Sequence, residues 1–156
     1  MGGVDYSRWR FTDNLPEECL YTASHCWLRE AGTGEWHVGM TRFALWLVGD
    51  VVEYGFTIAP GTAVAAGQKI GWVEGLKAVH ALETPVAGLF LAQGSAIAAD
   101  ITMLKREPYQ SGWLYAVRGT PSADAFDLRR YTALLDACVD AVKIAREAEC
   151  GGDCEC

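Results

Sequence analysis

Hydrophobic and polar positions along this chain change period twice. From Glu35 to Phe56 short apolar runs, HVGMTRFALWLVGDVVEYGF, are interrupted by Gly39, Gly49-Asp50 and Gly55. Valine, tryptophan and tyrosine predict strands at both ends of that stretch, with a helical turn or two over TRFALWLVG between them. KIGWVEG, from Lys69, then alternates, with Ile70 and Trp72 directed to one face and Gly71 and Val73 to the other. After Lys77 the segment VHALETPVAGLFLAQGSAI is again extended in character, and Pro85 biases Thr84 toward β or polyproline geometry. Gly61, Gly67, Gly75, Gly88 and Gly94 punctuate this region as tight turns would. Each would cost a helix about 1 kcal/mol relative to alanine, so the pattern predicts a small sandwich or barrel and not a bundle. FTIAPGTAVAAGQKIGWVEG and ETPVAGLFLAQGSAIAADIT share a loose order of proline, glycine and small residues that suits two related halves.

The period then becomes helical. Leu128, Tyr131, Leu135, Cys138, Val142 and Ala145 recur at intervals of three and four, with Arg130, Lys143 and Glu147 off that stripe. This predicts an amphipathic helix over about residues 122–148, with Pro121 in its first turn, Thr120 as cap and Gly151-Gly152 at its end. Such a helix is roughly 40 Å long. The resulting division is an N-terminal extension (1–19), a β-rich domain (20–119), a C-terminal helix (120–149) and a cysteine-rich tail (150–156).

Composition narrows the partners. With 51% hydrophobic residues in 156, one compact core plus an appendage is expected. Thirteen basic residues against twenty acidic ones give a net charge of −7, a field that repels a phosphate backbone and argues against nucleic acid. Neither a secretory leader nor a run of eighteen apolar residues is present, so the expected location is the cytoplasm, with no membrane contact. Of the six cysteines, Cys150, Cys154 and Cys156 crowd into CGGDCEC, while Cys19, Cys26 and Cys138 are scattered. That distribution suits reduced cysteines with a special tail better than a disulfide framework. Cys150, Cys154 and Cys156 are candidates for redox exchange, persulfide handling or metal binding, although a closed tetrahedral zinc site needs a fourth ligand.

Lys77 is the candidate functional residue. It falls between two extended runs beside Gly75, which can take a positive φ, and a lysine there projects from a turn because an ammonium inside a strand would need a buried partner. Most turn lysines are merely solvated, so exposure by itself assigns no role. His25, His37 and His80 have no metal-ligand spacing and read as structural.

Several blocks together carry a resemblance: Tyr21–Arg29 (YTASHCWLR), Val38–Thr41 (VGMT), Leu47–Val52 (LVGDVV), Glu74–Ala78 (EGLKA), Thr84–Gly88 (TPVAG) and Glu107–Leu114 (EPYQSGWL). In order and spacing the chain resembles the glycine cleavage H-protein family and its H-protein-like lipoate-binding relatives, over roughly residues 20–118. The resemblance implies a mainly β, lipoyl-domain-like barrel sandwich (hammerhead) followed here by the amphipathic helix. It also implies lipoate joined covalently to Lys77, and Glu74 and Gly88 as residues that present this lysine to the lipoate-attaching enzyme. Gly75 departs from the serine usual in the family, and Cys26 from the usual glutamate.

The resemblance implies a non-catalytic carrier, in which the cofactor supplies sulfur chemistry and the protein supplies position. Two pathways share that shell. The departures near Lys77 and the cysteine tail lean toward carriage of sulfane sulfur between sulfurtransferases and a heterodisulfide-reductase-like complex. The alternative is the glycine cleavage system, with an aminomethyl group carried among glycine decarboxylase, aminomethyltransferase and dihydrolipoyl dehydrogenase. An unmodified interaction scaffold that kept the carrier fold is the third reading.

Overall fold

The computed structural model describes residues 2–150. The chain begins with β1 (Gly3–Arg8), β2 (Phe11–Pro16), β3 (Leu20–Tyr21), β4 (Cys26–Gly32) and β5 (Glu35–Met40). A short helix, α1 (Arg42–Val48), leads to β6 (Val51–Phe56), β7 (Ala63–Val64), β8 (Lys69–Gly75) and β9 (Val79–Glu83). β10 (Val86–Gln93), α2 (Ser95–Ala99), α3 (Met103–Arg106), β11 (Tyr115–Pro121) and α4 (Leu128–Cys150) complete it. The strands form a β1-β2 hairpin, a six-stranded sheet β3-β4-β5-β11-β10-β7 and a three-stranded sheet β6-β8-β9. Every pairing between these strands is antiparallel. The fold is mainly β and lipoyl-domain-like, with a C-terminal helix, and its sheets do not close into a barrel.

Two buried clusters hold it together. The first lies between the larger sheets and contains Val38, Met40, Ile70, Val73, Leu82, Phe90 and Val117. Ile70 and Val73 are both wholly buried although strict alternation would place them on opposite faces. The register shift between Lys69 and Gly71 in the β8-β9 pairing accounts for this, because a bulge changes which face the following residues meet. The second cluster joins Phe11 and Leu15 of β2 to Tyr21, Trp27, Phe43, Tyr131, Leu135 and Val139. The N-terminal extension is thus a hairpin against which α4 packs. The tie is also polar: Tyr6 donates to Asp136 at 2.9 Å, and the Arg8 guanidinium meets both Asp140 carboxylate oxygens at 2.8 and 2.9 Å.

The structure corrects several sequence expectations. α4 begins at Leu128, not near residue 122, because Thr120 and Pro121 belong to β11 and pair with Ala87 and Val86. Asp127 caps the helix instead, its Oδ1 accepting the Arg130 N–H at 3.0 Å. The two loosely similar segments do not fold alike: the first ends in strand β8, whereas the second ends in helix α2. Cys154 and Cys156 lie outside the described residues, and Cys150 enters only as the last residue of α4.

Candidate functional site

Lys77 stands exposed at the tip between β8 and β9. Three backbone hydrogen bonds fix that tip. The Gly75 N–H donates across the turn to the Ala78 carbonyl at 2.9 Å, Leu76 N–H to Asp50 O at 3.0 Å, and Lys77 N–H to Val48 O at 2.8 Å. The last two anchor the tip to the end of α1, where terminal carbonyls lack helical partners. α1 is itself well bounded: Thr41 caps its start by accepting the Ala44 N–H, and Gly49 closes it with φ 79° and an N–H bonded to Leu45 O at 3.0 Å. A Cβ on Gly49 would lie 3.0 Å from Lys77 Cγ, so this glycine gives the lysine stem its seat.

Gly75 acts differently from expectation. It is not among the glycines with positive φ. A Cβ there would stand 2.1 Å from the Val48 carbonyl oxygen, so a missing side chain, not an unusual backbone angle, lets the tip approach α1. No ion pair among the described residues engages the Lys77 ammonium. A backbone held at both sides and a free side chain make this lysine accessible and positioned.

A cleft of about 420 Å³ opens beside it. Phe11, Leu45, Trp46 and Leu76 supply apolar surface, and Arg10, Arg42, Asp50 and Lys105 supply charge. Lys105 pairs with Asp50, and that contact holds the Asp50 carboxyl below its ordinary range. Arg42 meets Asp13 at 3.2 Å, and Tyr109 donates to the same carboxylate. Burial nevertheless raises the Asp13 pKa, since desolvation outweighs those partners. The apolar side chains beside a solvent-facing amine fit an aliphatic dithiolane arm attached at Lys77.

Of the other residues singled out, Glu74 is half-buried at the end of β8, between Glu53 of β6 and Val79 of β9. Gly88 is placed in the six-stranded sheet opposite Gly119, where a Cβ would fall 1.9 Å from the Arg118 carbonyl oxygen. Its visible role is close approach of β10 to β11, and it does not line the cleft. Cys19 and Cys26 are buried, and burial pushes their thiols up to about 12 and about 11. Sequence reasoning did not find Arg10, Arg42, Trp46 or Lys105 as neighbours of Lys77, because only the folded chain brings them together.

The match to known proteins is broad. The family model described as glycine cleavage H-protein matches residues 19–140. The chain belongs to that family. The glycine cleavage system H protein of Enterobacter sp. (strain 638) is 34% identical over 128 residues, covering 79% of this chain and 97% of that protein. A relative bearing the same name from Mycobacterium bovis (strain BCG / Pasteur 1173P2) is 36% identical over 124 residues, covering 80% and 92% respectively. The crystal structure of a glycine cleavage system H protein from Mycobacterium marinum superposes with a TM-score of 0.69 at 31% identity, covering 76% of this chain and 97% of that one. The family match starts after the β1-β2 hairpin, so the part of the cleft wall formed by Arg10, Phe11 and Thr12 lies outside it.

Proposed function

We propose that this chain is a lipoyl carrier of the glycine cleavage type, with lipoate attached through an amide to Lys77. The observation that carries the proposal is the pinned tip with its exposed, unpaired lysine beside an apolar-walled cleft. Bound there, lipoate would supply a reversible dithiol–disulfide end on a neutral, flexible arm. The chain's own part is positional. α1 and Gly49 hold the lysine stem, and the cleft offers the arm apolar surface near its anchor. Tethering raises the effective concentration of whatever the arm presents to a docked enzyme. Glu74 is proposed as a contact for the lipoate-attaching enzyme, on the same hairpin as the target amine. Gly88 would support recognition indirectly, by allowing the close pairing of β10 with β11. No catalytic group of the carrier is needed.

The partners follow from the family name: glycine decarboxylase, aminomethyltransferase and dihydrolipoyl dehydrogenase. The relatives described above all bear the glycine cleavage name, which favours this reading over sulfane-sulfur transport. The sulfur reading rested partly on tail cysteines of which two lie outside the described residues.

Intact-mass measurement and peptide mapping after co-expression with a lipoate-attaching enzyme should find one lipoyl group, on Lys77. Lys77→Arg should abolish the modification while leaving thermal unfolding unchanged, because the exposed side chain keeps its charge and loses only the acylatable amine. Modification at another lysine, or its absence with a demonstrably active enzyme, would overturn the assignment.

A further inference from the structure

The start of α1 is fastened to the N-terminal hairpin through one side chain. Asp13 belongs to β2, yet its side chain is only 2% exposed. Its Oδ1 accepts the Arg42 Nε–H at 3.2 Å and the Asn14 backbone N–H at 2.8 Å, and its Oδ2 accepts the Tyr109 hydroxyl. With its proton given to Asp13, the Tyr109 oxygen is left to accept the backbone N–H of Arg42 at 3.0 Å. That N–H opens α1 and has no partner within the helix. Asp13 therefore engages the first residue of α1 twice, directly at its guanidinium and by way of Tyr109 at its backbone.

Aromatic packing supports the same junction. Phe11 meets Phe43 edge-on at a centroid distance of 5.4 Å and Trp46 at 5.3 Å, and Trp9 meets Trp46 at 6.3 Å. Arg42, Phe43 and Trp46 share one side of α1, so the hairpin grips a single helix face. α1 has seven residues and is about 10 Å long. Leu45 N–H bonded to Thr41 O and Gly49 N–H bonded to Leu45 O link its start to its end. At that end Val48 O and Asp50 O accept the Lys77 and Leu76 N–H groups. A tilt at the start of so short a helix moves the carbonyls that hold the β8–β9 tip.

We propose that Asp13 is a positioning residue for Lys77: the hairpin braces the start of α1 through Asp13 and Tyr109, and α1 holds the tip in the geometry that the lipoate-attaching enzyme meets. The use of the tip rests on the carrier reading above; the brace rests on the contacts of Asp13 and Phe11. Both of these residues precede the family match, which begins at residue 19, whereas Arg42 and Tyr109 lie inside it. A tip released from the brace occupies the competent geometry for only part of the time. Apparent affinity for the enzyme falls by that fraction, while the reaction of the bound lysine is unchanged.

The test begins with the full, unmodified chain carrying Asp13→Asn, in which one acceptor oxygen is replaced by a donor, so that Arg42 and Tyr109 cannot both be served. Hydrogen exchange of the Leu76 and Lys77 amides, followed by NMR, should accelerate roughly fivefold or more, the scale of one hydrogen bond to a charged group. Amides of the β10–β11 ladder should keep their wild-type rates. Tyr109→Phe keeps the ring beside Trp27 and cuts the relay at its middle, so it should act in the same direction, and the double variant should add little to either single change. In lipoylation assays the KM for the carrier should rise with kcat retained, whereas a purely structural loss in a chain that stays folded moves neither. Unchanged exchange at the tip, an acceleration shared equally by the β10–β11 amides, fully additive effects of the two substitutions, or an unchanged KM would each overturn the proposal. Failure of the carrier reading would show separately, as an absence of lipoate on Lys77 in the mass measurement, because the exchange measurement needs no lipoate.

Discussion

Tyr131 connects segments far apart in sequence through one hydroxyl. Its oxygen lies 2.7 Å from Thr41 Oγ1 and 2.8 Å from His25 Nδ1, and its ring stacks on Tyr21 at a centroid distance of 4.7 Å. The hydroxyls can be satisfied in series if Thr41 donates to Tyr131 and Tyr131 donates to His25, which leaves His25 Nε2 facing the Cys138 sulfur at 3.8 Å. Tyr131→Phe should keep the stack and strand the polar atoms of its partners. A loss of about 1–3 kcal/mol in urea unfolding is expected. Gly49 carries a different burden. Alanine there must adopt φ 79° and press its Cβ against the Lys77 stem. Gly49→Ala should cost roughly 1–2 kcal/mol of stability and slow modification of Lys77, measured by urea melts and timed mass spectra; unchanged values for both would refute this role.

At the scale of elements, the hairpin and α4 depend on each other. β1 exposes most of its side chains, and the contacts that bury β2 include Tyr131, Leu135 and Val139 of α4. Leu135 is wholly buried, so Leu135→Ala should cost about 2–5 kcal/mol and loosen the hairpin as well as the helix. Arg8→Ala removes a two-point contact with Asp140, but both side chains are nearly half exposed and solvent screens the pair, so a much smaller loss than that of Leu135→Ala is expected. Thermal melts of the two variants separate these contributions, and comparable losses would mean that the polar clasp, not burial, secures the hairpin. The beginning of α4 shows why an element boundary is harder to read than its existence. Helical spacing identifies the apolar stripe, but proline at 121 suits a helix start as well as the end of an edge-to-neighbour ladder. The pairing of Val86 with Pro121 decided between them.

At the scale of the molecule, His25 makes stability sensitive to mild acid. Burial lowers its pKa from 6.5 to about 4, reinforced by nearby His80. The unfolded chain therefore takes up a proton before the folded one does, and stability that is complete above pH 6.5 declines as pH falls toward 4. The loss is on the order of 3 kcal/mol. Asp13 opposes it, since burial raises that carboxyl and favours the folded state on protonation. His25→Asn isolates the contribution: asparagine tolerates the positive φ of 65° but does not titrate, so the slope of unfolding free energy against pH should flatten. An unchanged slope would assign the acid sensitivity elsewhere.

Sequence alone determined the β-rich class, the amphipathic C-terminal helix and Lys77 as the residue to examine. Those conclusions depend on local properties: glycine punctuation, side-chain periodicity, and ordered blocks that carry family resemblance. The order of those blocks is legible without knowledge of contacts, and the family match over residues 19–140 agrees with the family they indicated. They did not distinguish a positive φ at Gly75 from a close backbone approach, since glycine permits both and only the position of Val48 chooses. Nor did local sequence reveal that residues 10–12 wall the same cleft as Lys77 and Lys105. The chain has an acidic net charge, yet folding gathers basic side chains from the hairpin, α1 and α3 around one lysine. Charge totals are fixed by composition, whereas the field around Lys77 is fixed by which distant segments the two buried clusters bring together.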